Sequence, residues 1–182
     1  MPHVIVTGGP GAGKTTLLAE LAALGHATVD ESARAIIAER LARAESPRPD
    51  PVAFAREILS RDIEKYLNRP RTSEWVFFDR SLIEALGMLH EVSPVSSSEL
   101  AFMLATYPFH PTVFVLPPWQ AIYSTDAERE QTCSDAVDVH DKVVRWNRSC
   151  GYEPSEVPRL LVARRAGYVL RTLMESATSR KE

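Results

Sequence analysis

Residues 4–16 read Val-Ile-Val-Thr-Gly-Gly-Pro-Gly-Ala-Gly-Lys-Thr-Thr. A β-branched apolar run leads directly into glycines, a lysine and a hydroxyl residue with the spacing G-x-x-x-x-G-K-S/T. Glycines in such a loop let backbone N–H groups turn around phosphate oxygens, and the helix that follows directs its positive N-terminus at the same anion. The sequence therefore predicts a strand, a phosphate-binding loop and a helix, in that order.

The side chains of this loop predict binding of a nucleoside triphosphate together with Mg²⁺. Lys14 would place a positive charge at the β- and γ-phosphates, and the hydroxyl of Thr15 is a hard oxygen ligand for Mg²⁺. The residues expected to line the phosphates are Gly9, Pro10, Gly11, Ala12, Gly13, Lys14, Thr15 and Thr16.

Length and charge restrict the class of protein. The chain has 182 residues, which predicts one domain over 1–182, and its formal net charge of −3 gives no reason to expect a nucleic-acid partner. We expect a cytoplasmic protein without a membrane segment, because no signal peptide and no apolar run of transmembrane length occurs. The sequence leaves the oligomeric state open.

Strand-like and helix-like segments alternate along the chain, which predicts an α/β fold with a mostly parallel sheet covered on both faces. The predicted strands are 3–7, 27–30, 75–79, 112–116 and 153–157. The predicted helices are 14–24, 32–44, 82–89, 98–107, 125–147 and 160–174. A further helix is marked by apolar residues over 54–63 and ends before Pro70. A breaker-rich loop occupies 46–51.

Polar residues follow the strands at the sheet edge where ligands collect. Asp79 ends an apolar strand, as a Walker B carboxylate for Mg²⁺ does; it could also, or only, cap the next helix. Arg80 could face a phosphate or an acceptor molecule, or could form an ion pair that positions Asp79. Both interpretations of each residue stay open at this point.

Glu31 follows the second strand, and Arg34 comes one helical turn later on the same face. A carboxylate facing the γ-phosphate could accept the proton of an attacking hydroxyl, and the arginine could hold an anionic acceptor. The alternative is a helix-start carboxylate with an ordinary i,i+3 ion pair.

Arg129 comes after the fourth predicted strand, where phosphotransferases carry a mobile lid. A lid arginine would neutralise charge on the transferring phosphoryl group and help to exclude water. We place this lid at about residues 120–135; the alternative is a solvent-exposed face of a charged helix.

Several segments together resemble a known family: 4–18, 31–37, 77–80 and 115–129. They are similar to small P-loop proteins labelled "AAA domain" or predicted ATPases, a family that resembles the nicotinamide-riboside kinase domain of NadR-type proteins and the animal TRPL-translocation-defect proteins. The resemblance runs from about residue 3 to 174. It implies a nucleoside/nucleotide-kinase-like P-loop NTPase with a five-stranded parallel sheet flanked by helices. It also implies Asp79 for Mg²⁺, Glu31 for the acceptor and Arg129 for the lid, but no particular substrate.

Two related classes fit the residues less well. AAA+ motors end the corresponding strand in Asp-Glu, where the glutamate activates water, whereas this strand ends in Asp79-Arg80, as in deoxynucleoside kinases. A signalling GTPase is disfavoured because no Asn-Lys-x-Asp motif occurs. Adenine is thus the default base, and ATP the expected nucleotide.

Two hypotheses remain from the sequence. In the favoured one, the chain is a small-molecule kinase that moves the γ-phosphoryl group of Mg·ATP to a hydroxyl of a nucleoside-like metabolite. Lys14, Glu31 and Arg129 would be catalytic, and Glu31, Arg34 and Arg80 would bind the acceptor. The alternative is an ATPase or nucleotide-dependent binding switch without a small-molecule acceptor.

Overall fold

The computed structural model describes residues 3–47, 49–69, 75–119 and 133–178, and for residues 133–135 it describes the backbone alone. Five strands form one sheet in the order β2-β3-β1-β4-β5, and every neighbouring pair is parallel. The strands are β1 His3–Gly8, β2 Ala27–Val29, β3 Val76–Asp79, β4 Thr112–Leu116 and β5 Glu153–Glu156. The parallel α/β prediction is confirmed.

Helices occupy the connections between these strands. They are α1 Lys14–Ala23, α2 Ser32–Ala42, α3 Pro51–Asn68, α4 Leu82–Val92, α5 Ser97–Thr106, α6 Cys133–Ser149 and α7 Val162–Thr178. Within the described residues, none of them has the length and apolar character needed to cross a bilayer.

One boundary differs from the sequence prediction for a clear physical reason. The breaker-rich loop was expected to extend through Pro51, but Pro51 is the first residue of α3. The side chain of Asp50 accepts a hydrogen bond from the backbone N–H of Ala53 at 3.0 Å, and so caps the helix. Proline is favoured at a first helical position because it has no N–H to leave unpaired.

The sheet is covered on both faces, as the apolar strands predict. Val4 and Val6 of β1 pack with α1 and α7, whereas Ile5 points to the opposite face and joins a cluster with α4 and α5. This alternation follows from the two-residue period of a strand. Because β1 is buried along its whole length, the loop that follows it starts from a rigid base.

The sheet order brings the carboxyl ends of three strands together. β1 lies between β3 and β4, and β2 lies on the outer side of β3. The phosphate loop after β1, Asp79 at the end of β3 and Glu31 after β2 therefore share one edge of the sheet.

Candidate active site

The phosphate loop depends on glycine at both of its ends. Gly8 has φ +142°, and a Cβ there would lie 2.4 Å from the carbonyl oxygen of Leu116 on β4. Gly13 has φ +85° and is the N-cap of α1, a position where it has no side chain to occupy the free N–H groups of the first turn. The loop therefore presents an uncapped helix N-terminus, which is suited to an anion.

Lys14 is buried, with 6% of its surface exposed. Its Nζ donates hydrogen bonds to the carbonyl oxygens of Gly8 at 3.2 Å and Gly9 at 3.1 Å, so the ammonium group lies across the loop. Burial and the neighbouring guanidinium of Arg80 lower the pKa of Lys14 to about 8, against the opposing effect of the Asp79 carboxylate. A bound triphosphate would place further negative charge beside this ammonium group.

Asp79 lies partly buried at the end of β3, and its Oδ1 is buried without a hydrogen-bond partner. Burial raises the pKa of Asp79 to about 6, although Lys14 opposes the shift. The residue does not cap the next helix, because Ser81 is the N-cap of α4. The helix-cap interpretation left open by the sequence is therefore wrong.

The oxygen donors near the loop fit Mg²⁺. Thr15 is exposed in the first turn of α1, and Asp79 has the unpartnered oxygen described above. Among the described residues, no cluster of three or more His, Cys, Asp or Glu side chains could hold a metal by itself. Mg²⁺ typically takes one or two protein oxygens and completes its shell with phosphates and water, which agrees with this donor set.

Arg80 adopts φ +64°, an uncommon backbone conformation for a residue with a side chain. Its backbone N–H donates to the Val6 carbonyl at 3.0 Å, which ties this turn to β1. The guanidinium pairs with Glu31 (Nε to Oε1, 3.0 Å) and with Glu84 (Nη1 to Oε2, 2.9 Å), and its Nη2 donates to the Gly8 carbonyl at 3.1 Å. Within the described residues, Arg80 thus pairs with these two glutamates and not with Asp79.

Glu31 stands at the N-cap position of α2, but its side chain does not cap the helix. The carboxylate instead pairs with Arg80 and, at 3.4 Å, with Nε of Arg34. Burial alone would raise the pKa of Glu31, but Arg80, Lys14 and Arg34 outweigh it and lower the pKa below its ordinary value. The i,i+3 pair predicted as the alternative is present, and it lies within a larger set of charges that keeps Glu31 ionised.

A cavity of about 800 Å³ opens beside the phosphate loop and runs between α2, α3, α4 and α6. Its polar end, next to the loop, is lined by Lys14, Glu31, Arg34, Asp62, Arg80 and Glu84. Apolar side chains make up another part of the lining: Ile37, Phe54, Ile58, Met88 and Trp146. Glu91, Lys142 and Arg145, on α4 and α6, add charged groups to it. The volume, and a lining that combines apolar surface with polar groups, are typical of a small-molecule site.

Trp146 forms part of the apolar wall. Its indole Nε1 donates to the Ile83 carbonyl of α4 at 2.6 Å. Gly87 makes this contact possible, because a Cβ there would lie 2.8 Å from the indole ring. Trp146 is half-buried: it packs against the core on one side and lines the cavity on the other.

Sequence reasoning missed Glu84 and Asp62, both of which line the cavity. Glu84 stands four residues after Arg80, a spacing that allows an ion pair on a helix start. Asp62 continues the i, i+4 stripe of Phe54 and Ile58, so a carboxylate interrupts an apolar helix face there. Both signals were present in the sequence.

Residues 120–132 of the predicted lid, Arg129 among them, lie outside the described residues. The first part of the helix predicted over 125–147 is likewise not described. The helix is described from Cys133 onward as α6, and it packs against the loop where a Cβ on Gly9 would meet the Ala136 carbonyl at 2.4 Å.

Solved structures of other proteins share this fold at low sequence identity. Deoxyadenosine kinase from M. mycoides with bound dATP superposes with a TM-score of 0.61 at 14% identity, covering 95% of this chain and 99% of that chain. The same kinase with bound dCTP gives 0.62 at 16% identity, over 96% and 100%. A NadR protein in complex with NR gives 0.67 at 17% identity, over 96% of this chain and 51% of that chain.

No curated protein sequence matches the chain significantly. A family model described as "AAA domain" matches residues 3–165, which include every strand of the sheet and the whole of the site described above. The fold is that of P-loop nucleoside kinases, and the chain belongs to the AAA domain family of P-loop proteins.

Proposed function

We propose that this protein is a phosphotransferase that moves the γ-phosphoryl group of Mg·ATP to a hydroxyl of a small nucleoside-like metabolite. The observation that carries the proposal is the cavity of about 800 Å³ that Lys14 and Glu31 line together with apolar side chains of α2 and α3. A hydrolase or a nucleotide switch has no use for an acceptor-sized space next to its phosphate loop. The kinase hypothesis accounts for that space.

The donor half of the proposed site is the loop with Lys14, Thr15 and Asp79. The backbone N–H groups and Lys14 would bind the phosphates, and Thr15 and Asp79 would hold Mg²⁺. Bound Mg²⁺ would neutralise charge that develops on the β- and γ-phosphate oxygens. Arg129, outside the described residues, is proposed as a lid cation for the same charge.

The acceptor half is built around Glu31. The hydroxyl oxygen of the acceptor would bond to the γ-phosphorus as the bond from that phosphorus to the bridging oxygen of ADP breaks. The proton of the hydroxyl would pass to the Glu31 carboxylate, which its cationic neighbours keep ionised at neutral pH. Arg80 would orient this carboxylate and, with Arg34, would attract the phosphorylated product.

The apolar part of the cavity lining is evidence for an acceptor that carries a ring system. Ile37, Phe54, Ile58 and the indole of Trp146 offer apolar surface in this part, and aromatic and aliphatic walls of this kind bind flat ligands well. The structural neighbours were solved with a deoxynucleotide or with NR bound. Nucleosides and nicotinamide riboside are therefore the first acceptors to test.

The test is a screen for acceptor-dependent ADP release, followed by two substitutions. Lys14→Ala should abolish triphosphate binding, because the loop loses the charge that faces the phosphates. Glu31→Gln should lower acceptor turnover by roughly 10²- to 10⁴-fold, the range of a general base, and should leave ATP affinity unchanged.

The screen also tests the alternative, an ATPase or binding switch without a small-molecule acceptor. If no acceptor accelerates ADP release above the reaction with water, the phosphotransferase assignment is wrong. If an acceptor is found but Glu31→Gln retains full turnover, the assigned base is wrong and only the donor half stands. Glu20→Gln on α1, away from the cavity, is a matched control for a glutamate substitution.

A further inference from the structure

We propose that Asp62 and Lys65 of α3 are positioning residues, which hold Glu31 in the place that phosphoryl transfer requires. The proposal rests on the function proposed above, since it concerns the proposed base of that reaction. Neither residue is needed to bind the nucleotide. Lys65 bonds to the backbone of the residue before Glu31, and Asp62 bonds to the side chain of the residue after it.

The contacts of α3 flank Glu31 on its two sides. Nζ of Lys65 donates a hydrogen bond to the carbonyl oxygen of Asp30 at 2.6 Å, and Asp62 accepts a hydrogen bond from the hydroxyl of Ser32. Asp62 and Lys65 are three residues apart and therefore lie on one face of the helix. One helix face thus holds the residue before Glu31 and the residue after it.

Glu31 needs such an anchor because of its place in the chain. It joins β2 to α2 and has the extended backbone angles φ −58° and ψ +134° of an N-cap residue. Its ion pairs with Arg80 and Arg34 orient the carboxylate but do not hold the backbone. The bonds from α3 supply that missing constraint, and Ser32 is itself 98% buried, with 2% of its surface exposed.

The surroundings of Asp62 indicate why a carboxylate, and not an apolar side chain, occupies this position. Burial and the carboxylates of Glu84 and Glu31 raise its pKa to about 6, against the effects of Ser32 and Lys65. An apolar residue would avoid this cost and would continue the stripe of Phe54 and Ile58. The hydrogen bond to Ser32 accounts for the carboxylate at this position.

The test compares four variants with the acceptor that the wild-type protein phosphorylates fastest. Asp62→Ala and Lys65→Met should each lower kcat by roughly 10- to 100-fold, the loss that follows from a misplaced catalytic group, while acceptor KM and ATP affinity stay within about twofold. Asp62→Asn keeps a carbonyl oxygen for Ser32 and should restore most of kcat. Arg61→Gln is the matched control, because Arg61 ties α3 to Glu39 of α2 (2.7 and 2.9 Å) away from Glu31.

Amide hydrogen exchange gives a readout that needs no acceptor. With Mg·ATP bound, residues 30–34 should exchange faster in Asp62→Ala than in the wild-type protein, and Arg61→Gln should leave them unchanged. Unchanged exchange in Asp62→Ala, or an equal loss of kcat in Arg61→Gln, overturns the proposal. So does a rise in acceptor KM at constant kcat, which would make Asp62 a ligand for the acceptor. A wild-type protein without acceptor-dependent turnover would contradict the proposed function instead, and the exchange result would still decide whether α3 anchors Glu31.

Discussion

The guanidinium of Arg80 contacts both sides of the site at once. Nη2 donates to Gly8 of the phosphate loop, and Nε pairs with Glu31 at the cavity. The pair with Glu84 holds the remaining nitrogen, so each of the three guanidinium nitrogens has a hydrogen-bond or ion-pair partner. One side chain of β3's carboxyl end thus links the phosphate loop to Glu31.

The buried carboxylate of Asp62 should make the nucleotide-free protein less stable as the pH rises. Burial raises the pKa of Asp62 to about 6, from an ordinary value near 4. The folded protein then binds this proton more tightly than the unfolded chain, so the free energy of unfolding falls between about pH 4 and about pH 6. Asp62→Asn avoids that loss and should be more stable by roughly 1 to 3 kcal/mol above pH 6.

Urea denaturation between about pH 4 and about pH 8 measures this difference. The advantage of Asp62→Asn should be small at the acid end, grow up to about pH 6 and then stay constant. Asp138→Asn, at an exposed position of α6, serves as the control and should show no such growth. An advantage of the same size at every pH would contradict the prediction.

At this scale, local spacing predicted only some of the contacts. The pair of Glu31 with Arg34 follows from one helical turn, and that of Arg80 with Glu84 could have been found in the same way. The pair of Glu31 with Arg80 could not, because it depends on β2 and β3 being neighbours in the sheet. The bonds from Asp62 and Lys65 to residues 32 and 30 depend similarly on how α3 packs.

Among the elements, α4 and α6 are in contact at Gly87. The indole of Trp146 lies against the backbone there and reaches the Ile83 carbonyl. The same indole faces the cavity. The spacing of α4 and α6 at this point therefore affects the width of the cavity beside Trp146.

Gly87→Ala should narrow the acceptor cavity without affecting the donor half. The new Cβ would lie 2.8 to 3.0 Å from three atoms of the indole, so Trp146 must move and its hydrogen bond to Ile83 is lost. We expect a rise in acceptor KM of roughly tenfold, unchanged ATP affinity and a loss of about 1 kcal/mol in the free energy of unfolding. Steady-state kinetics and urea denaturation measure these effects.

The chain offers a matched control in Gly167→Ala. Gly167 also lies inside a helix, α7, but a Cβ there would meet only the Arg171 side chain, at 3.7 Å. This variant should be more stable by roughly 0.5 to 1 kcal/mol, since alanine is the better helix former, and its acceptor KM should not change. An equal rise in KM in both variants would show that Trp146 does not limit the cavity.

The elements themselves were predictable because breakers mark their ends. Gly25, with φ +95°, follows α1, and the β-branched run 112–116 is the strand β4 that was predicted. The start of α3 was missed because a proline signals a loop in the sequence but is also favoured in a first helical turn. The cavity could not be predicted, since its walls come from four helices that are distant in sequence.

In the whole molecule, the site lies at the central strand and not at the periphery. β1 is the middle strand of the sheet and is buried along its length, and the loop after it lies against α1 and α6. A ligand bound there would lie next to elements from both halves of the chain. Its binding free energy should therefore appear as stability of the described fold as a whole.

Mg·ATP should accordingly raise the melting temperature, by an amount that grows with the logarithm of its free concentration relative to Kd. At a free concentration of about one hundred times Kd, a ligand that binds only the folded state adds about 2.7 kcal/mol, which for a chain of this size corresponds to roughly 5 to 10 °C. Glu31→Gln should keep the full shift, because its loss is confined to the acceptor half, whereas Lys14→Ala should show none. Calorimetry over a series of Mg·ATP concentrations tests this. A shift that survives in Lys14→Ala would mean that the nucleotide binds elsewhere, since Lys14 is the cation that bonds to both Gly8 and Gly9 of the phosphate loop.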